Sequence, residues 1–457
     1  MKQTHHIGYV QTPSVKNLSN VKNALVENGL VPLTTPNEML PDAIEKGLKP
    51  LEFKDYGMIH EGKYRIRYFD IDGTILKIEY VENGGKLTPP KKTPNYDPDY
   101  LIFDEWNYDI ENYIVERPTD VGAIYDTKEY TTFLFCKFTN KTTLKVTLQI
   151  KNQQSVDWGD GTIDTNTSHT YTNEGEYVIK IKGNSNNVVT VSSSILSGSQ
   201  NNVEYALNKI YFNSNTLISQ NVVQYSYDVK YISLPKTYKN NTVNCLLLRN
   251  TNIIHLNLPK GITTFLTENF YNCLFLKSIS ISNECIKHNS NGGTFKQCKN
   301  LKFITLPNGT TRAEVELLYG CNSLEEVYLP NSITELGNYS CSQCLSLKNI
   351  HLPVSLTMLR NYALSYCENL QELKLPVNVN YFWSFPLTGT NKLRNLFIES
   401  ITPITSRNGE NSLNNYVIIW VNDDIIEDLK VATGWSTYAS QMKPLSWYPS
   451  LTDPNAE

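Results

Sequence analysis

Two short spacings in this chain hold residues able to do chemistry. Cys341 and Cys344 stand two residues apart, half of a tetrahedral zinc site. Asp157 and Asp160 flank Trp158 and Gly159, where two carboxylates could begin a calcium site. Neither is completed. No second pair of ligands is spaced to finish a zinc site, and two carboxylates fall short of the six or more oxygens that calcium takes, whereas aspartates bonding to the backbone two residues on explain both. His5, His6, His255 and His351 lack a repeating serine or carboxylate partner, and neither a G-x-S-x-G elbow nor a phosphate-cradling glycine loop is present. The expectation is a non-enzymatic chain with no catalytic residues, metal or cofactor.

The elements that carry these residues explain them better. From Leu207 onward one phrase returns: an apolar residue, two free positions, an apolar residue, one free position, an apolar residue and often proline. It starts at Leu207, Val229, Ile253, Leu276, Leu301, Leu324, Leu347, Leu370, Leu393 and Tyr416, in steps of 22 to 25 residues. A period in the 20s marks a solenoid, whose coils are stable only by stacking on their neighbours. The fourth and sixth positions of each phrase point inward from one strand face, and the prolines stop the strand ladder. Cys273, Cys298, Cys321, Cys344 and Cys367 all lie three residues before the phrase, and Cys341 fills a slot held elsewhere by Phe270, Phe295, Leu318, Leu364 and Leu387. They read as small buried hydrophobes and free thiols, fitting synthesis in a reducing cytoplasm.

These repeats resemble the BspA-type leucine-rich repeats, with units of the form F-x-x-C-x-x-L-x-x-I-x-L-P. Residues 295–307 and 318–330 fit well; the units at Leu207 and Val229 are poorer copies. Residues 421–444, with Trp435 and Tyr438, resemble the family's helical terminal cap.

Earlier in the chain, Tyr64, Ile66 and Tyr68 alternate with charged residues, and a turn at Asp72 and Gly73 leads into a return strand, a β-hairpin. Phe69, Asp72, Gly73, Val81, Gly84, Pro90, Phe103, Trp106, Asp120, Ala123 and Tyr125 resemble the Listeria/Bacteroides (internalin-type B) repeat, although Glu105 stands where that family has glycine. The resemblance implies a compact β module of surface proteins. Asp70-Ile71-Asp72-Gly73-Thr74 also resembles the D-x-D-G-T signature of haloacid-dehalogenase phosphatases, which implies an aspartate nucleophile and an aspartate acid. That chemistry needs a helix after the strand and βαβ alternation, and neither follows. Residues 128–191, with Val156 to Thr162 and His169-Thr170-Tyr171, resemble the polycystic-kidney-disease (PKD) type immunoglobulin-like domain, with Val156 where a large aromatic is usual.

The fold class is therefore mainly β and multidomain, with small β modules and a C-terminal leucine-rich-repeat solenoid bearing a parallel sheet. The boundaries are 1–60, a helical leader; 61–127, the first β module; 128–195, a β-sandwich; and 196–457, the solenoid and its cap, with 192–200 as the junction. A net charge of −4 gives no charge-based reason to expect nucleic acid or a membrane surface as partner, and no stretch reaches the ~18 apolar residues of a membrane span. If the inward positions alternate with outward ones, then Tyr211, Tyr231, His255, Phe303, Tyr328, His351, Phe397 and Trp420 line the outer side of the sheet. They form a candidate contact surface for glycan or protein, or simply side chains that suit a strand.

Surface-type modules without a recognisable export signal or anchor lead to the expectation of a bacteriophage virion protein, a fibre or capsid decoration. It would attach to other virion proteins through its N-terminal part, bind a host-surface glycan or protein through the solenoid, and form a homo-oligomer where the virion requires one. The alternative is a bacterial cell-surface adhesin exported by a non-classical route.

Overall fold

The computed structural model describes residues 57–139, 144–183, 189–197, 205–214, 216–218, 228–235, 248–260, 264–265, 268–282, 287–288, 292–311, 313–406 and 413–448. The helical leader expected in residues 1–60 lies, up to residue 56, outside them. Residues 57–457 form one compact unit, and no helix among the described residues is long and apolar enough to cross a membrane.

The first module is a β-sheet built on strand β2 (Lys63–Phe69). The short strand β1 (Ile59–His60) and strand β3 (Ile75–Val81) pair with it antiparallel; β5 (Thr119–Thr127) pairs with it parallel and carries β4 (Leu101–Trp106) antiparallel. Asp70 and Asp72 occupy the β2–β3 hairpin turn. Thr74 N donates to Asp72 Oδ1 at 2.8 Å, Asp70 N to Thr74 O at 2.9 Å, and Gly73 sits at φ +87°. Asp70 is buried and accepts from Tyr125 Oη at 2.6 Å. This return strand is antiparallel, unlike the strand-to-helix setting that the phosphatase motif requires.

Strands β6 (Thr131–Phe138), β7 (Leu144–Lys151), β8 (Ser155–Asp157), β9 (Ile163–Asp164), β10 (Ser168–Tyr171), β11 (Gly175–Lys182) and β12 (Thr190–Ser197) then form two sheets. The junction expected at 192–200 is for most of its length strand β12, paired antiparallel with β7. Both sheets run on into the solenoid. On one, β6 pairs antiparallel with β13 (Tyr205–Tyr211), which starts the parallel ladder by pairing with β15 (Tyr231–Ser233). On the other, β12 pairs parallel with β14 (Leu217–Ile218). The sandwich thus covers the first coil on both sides, satisfying strand edges that would otherwise template aggregation. A single apolar core runs from Leu134 to Met442, so the sandwich and the solenoid share their packing.

Further along, the solenoid has two lines of parallel strands. The main line includes Phe303–Thr305, Glu326–Tyr328, Asn349–His351, Glu372–Leu375, Asn395–Ile398 and Ile418–Val421; the second includes Glu335–Leu336, Met358–Leu359, Tyr381–Phe382 and Thr405–Ser406. Most of the expected inward residues are in the core, among them Ile304, Leu306, Val327, Leu329, Leu373 and Leu375, while Ile350 and Leu352 are partly buried against it. The last repeat departs from the phrase. Tyr416, expected inward, is 76% exposed, and Val417 is buried instead. The closing segment contains helix α1 (Ile426–Val431), with Trp435 buried against Phe382 at 5.5 Å between ring centroids. A strand at Met442–Pro444 then extends the main ladder by one pairing.

The cysteines do more than fill volume. Cys298, Cys321, Cys344 and Cys367 donate from Sγ to the carbonyls of Phe270, Phe295, Leu318 and Cys341, at 3.0, 3.1, 3.3 and 3.2 Å. Each thiol therefore satisfies a carbonyl of the preceding coil. Burial pushes the Cys273 thiol up to about 11 and Cys341 up to about 12. In the native protein these thiols should resist a thiol-specific reagent at pH 8 and react only on unfolding. Rapid native labelling of Cys321 or Cys344, located by peptide mass spectrometry, would contradict the ladder.

Candidate binding surface

The main ladder places the second and third free positions of each phrase on the side away from the core, in columns fixed by strand register. Tyr328 stands beside His351, and Phe397 beside Trp420. All eight residues expected on this side are on it, but most of that side is covered. Tyr211 and His255 are buried, Phe397 is 3% and Trp420 8% exposed, and Tyr231, Phe303, Tyr328 and His351 are half-buried.

The cover over the early coils is the first β module. Phe69 packs against His255 with ring centroids 4.8 Å apart, Arg65 lies over the Phe303 ring at 4.4 Å, and Tyr64 meets Tyr328 edge-on at 6.1 Å. Polar groups fix the register. Asn107 Nδ2 donates to Leu258 O at 3.0 Å and to Ser280 Oγ at 2.8 Å, Tyr108 Oη donates to Ile281 O at 2.7 Å, and Met58 N donates to Glu326 Oε2 at 2.8 Å. Buried Arg117 donates to Leu306 O. Glu105 pairs with Lys260 at 2.9 Å.

At the centre is a relay of buried groups. Asn257 Nδ2 donates to the carbonyls of Asp70 and Ala123, at 3.2 and 3.0 Å. That leaves Asn257 Oδ1 to accept from His255 Nε2 at 2.6 Å, so His255 Nδ1 accepts from Ser278 Oγ at 2.6 Å. A neutral imidazole satisfies every member. Burial holds the His255 pKa down, at about 4.

The last coils are covered differently. The Tyr448 ring meets Phe397 at 4.8 Å and Trp420 at 4.9 Å, and Trp420 Nε1 donates to Asn395 Oδ1 at 3.0 Å. Between the two covers, His351 pairs with Glu326 at 2.8 Å, and Asn349, Glu372 and Lys374 are exposed. The face open to a ligand is thus narrower and more polar than the row of aromatics implied. On another side, Tyr339 and Tyr362 stack at 5.0 Å, and Tyr362 and Phe385 at 5.6 Å; these three residues have left-handed backbones and share one repeat position.

In the sandwich, Asp157 and Asp160 are engaged by the protein itself. Asp157 accepts from Gly159 N at 2.9 Å and pairs with Lys180 at 3.1 Å; Asp160 accepts from Thr162 N at 3.0 Å and pairs with His169 at 2.7 Å. Although burial works against it, these bonds to Thr162 and His169 hold the Asp160 carboxyl below its usual range. His169 also stacks on buried Trp158 at 5.0 Å.

Comparison with known proteins decides the solenoid's lineage. The model of the BspA type leucine rich repeat region matches residues 180–292 and 288–414, together just over half of the chain. The chain belongs to the BspA-type leucine-rich repeat family. The match begins inside β11, where the sheets of the sandwich lead into the BspA-type coils. No curated protein matches by sequence. Among solved structures, the chain is similar to a leucine-rich repeat protein from Bacteroides ovatus (14% identity, covering 61% of this chain and 88% of that one, TM-score 0.23). It is also similar to the leucine rich repeat protein of T. pallidum (20%, 41% and 84%, TM-score 0.30) and to a leucine rich cell surface protein from Faecalibacterium prausnitzii (13%, 55% and 94%, TM-score 0.26). At these TM-scores the overlays are loose and carry no weight on function.

Proposed function

We propose that this BspA-type protein is a bacterial cell-surface binding protein, an adhesin, whose solenoid presents side chains to a glycan or protein on a facing surface. The observation that carries this reading is the register-locked stacking of the coils. Strand pairing holds each surface column at about 4.8 Å per coil on a continuous core, which spares an extended contact most of the ordering cost of a flexible one. The virion reading rests on features of the chain ends and finds no support in the fold or in the family; the surface adhesin keeps both the modular β architecture and the repeat lineage.

Antibody against the full chain should label intact cells of the source culture, with the signal removed by mild external proteolysis. Recovery of the protein only in the particle band of a density gradient, with intact cells unlabelled, would overturn this reading in favour of a virion component.

A further inference from the structure

One charged feature of the surface is used neither by the core nor by the docked module. The residue directly after the first apolar position of five repeats is Lys230, Lys277, Lys302, Lys348 or Arg394, and all five are exposed. The acidic member of the column is Glu325, which pairs with Lys302 at 4.0 Å and Lys348 at 2.8 Å. The backbone fixes the spacing. Lys277 N donates to Ile254 O at 2.8 Å, Lys302 N to Lys277 O at 3.4 Å, Glu325 N to Lys302 O at 2.8 Å, Lys348 N to Glu325 O at 2.9 Å, and Arg394 N to Gln371 O at 2.8 Å.

Successive members therefore stand about 4.8 Å apart at the entrance to the main strands, along one rim of the sheet. Lys277 and Lys302 are like charges on adjacent coils, an arrangement that destabilises a sheet, and the exposed pairs of Glu325 with Lys302 and Lys348 add little to the fold. The next column holds Glu326, paired with His351, and exposed Glu372, while the rim itself carries five cations to one carboxylate in a chain whose net charge is −4. At its far end Arg394 lies 5.9 Å over the ring of Tyr416, the residue that turns outward instead of filling the core.

We infer that this rim is the contact for a linear acidic polysaccharide lying along the solenoid axis, its sulfate or carboxylate groups meeting cations that stand one or two coils apart. A chain of repeated charges can engage all five cations at once, whereas a compact anion reaches one or two. Flexible exposed lysines are suited to such additive, salt-sensitive contacts, and the exposed Tyr416 ring offers an apolar face to a sugar. The inference rests on the adhesin reading and names the ligand class for it.

The test uses the full chain and heparin as probe, with hyaluronan to separate sulfate from carboxylate recognition and single-stranded DNA as a non-glycan polyanion. The variant carrying Lys277→Gln, Lys302→Gln, Lys348→Gln and Arg394→Gln should bind heparin or hyaluronan at least about tenfold more weakly, with a flatter salt dependence and an unchanged melting temperature. A control with Lys91, Lys137, Lys145 and Lys182 changed to Gln, equal in net charge, should bind as the native chain does. Equal binding by the rim variant and the native chain would overturn the inference, as would tighter binding of DNA than of either glycan. If the rim variant loses glycan binding yet still adheres to cells, the rim is not the cell contact and the adhesin reading survives. If the native chain binds glycan through the rim but labels no intact source cells, the adhesin reading falls and the glycan site stands.

Discussion

Replacing Asn107 with alanine should destabilise the docked module by about 3–5 kcal/mol, the cost of leaving several buried groups without partners. The Asn107 side chain is fully buried. Its amide nitrogen serves Leu258 O and Ser280 Oγ, and its Oδ1 accepts from Gly122 N at 2.7 Å. Truncation strands the Gly122 amide and the Leu258 carbonyl in a seam too tight to hydrate easily, and leaves the Ser280 hydroxyl only its bond to Asp120 O. A Cβ at Gly122 would stand 2.3 Å from Asn257 Cγ, so the backbone there already touches the solenoid. Hydrogen exchange should show faster opening of β5 and of the strand His255–Asn257 together, because the seam that protects both is broken. A loss of stability below about 1 kcal/mol, or opening confined to β5, would show that Asn107 does not hold the two parts together.

Acid should weaken the same seam through His255. Its folded-state pKa, about 4, lies below the ordinary histidine value of 6.5, because burial penalises the charged ring. Above pH 6.5 both folded and unfolded forms are neutral and the stabilisation is complete. As pH falls from 6.5 towards 4, the unfolded chain takes up a proton that the folded one refuses, and roughly 3 kcal/mol is lost by pH 4. Protonation would also place a donor at Nδ1, facing Ser278 Oγ. Denaturant unfolding of the native chain and of His255→Gln, each at pH 7 and pH 4, isolates this contribution from that of the carboxylates: the variant should lose about 3 kcal/mol less. Parallel pH profiles would contradict the relay.

The solenoid was legible in the sequence because its signals are local and repeated. A 23-residue step from Leu301 onward and a two-residue alternation fix which side chains point inward. The same alternation shows which residues share the other face, but not what covers it. Arg65 and Arg67 alternate with Ile66 and Tyr68 as the charged face of a solvent-exposed strand would, yet both are buried; Arg65 lies over the Phe303 ring, and Arg67 holds Asp120 through two bonds of 2.8 and 2.6 Å. Asn107, Arg117 and Asn257 carry no periodic signal, and their roles depend on partners 134 to 189 residues away. The row of aromatics was therefore legible as a row but not as a seam. Tyr448 gave no sign from its position that it folds back on Phe397 and Trp420. The joining of sandwich and solenoid was hidden for a related reason: the small polar residues of β12 read as a junction, while the pairing partners that make them a strand lie in β7.

Zero-length carbodiimide cross-linking of the full chain tests the docked module most directly. Lys260 and Glu105, 155 residues apart in sequence, meet at 2.9 Å, and Lys209 and Asp97 meet at 3.2 Å. Both amides should be recovered by peptide mass spectrometry, along with the local link between Lys430 and Glu427, whose side chains meet at 2.7 Å on α1. Recovery of the Lys430–Glu427 link without either long-range one would show that the first module does not lie on the solenoid, and the row of aromatics would return as an open binding face.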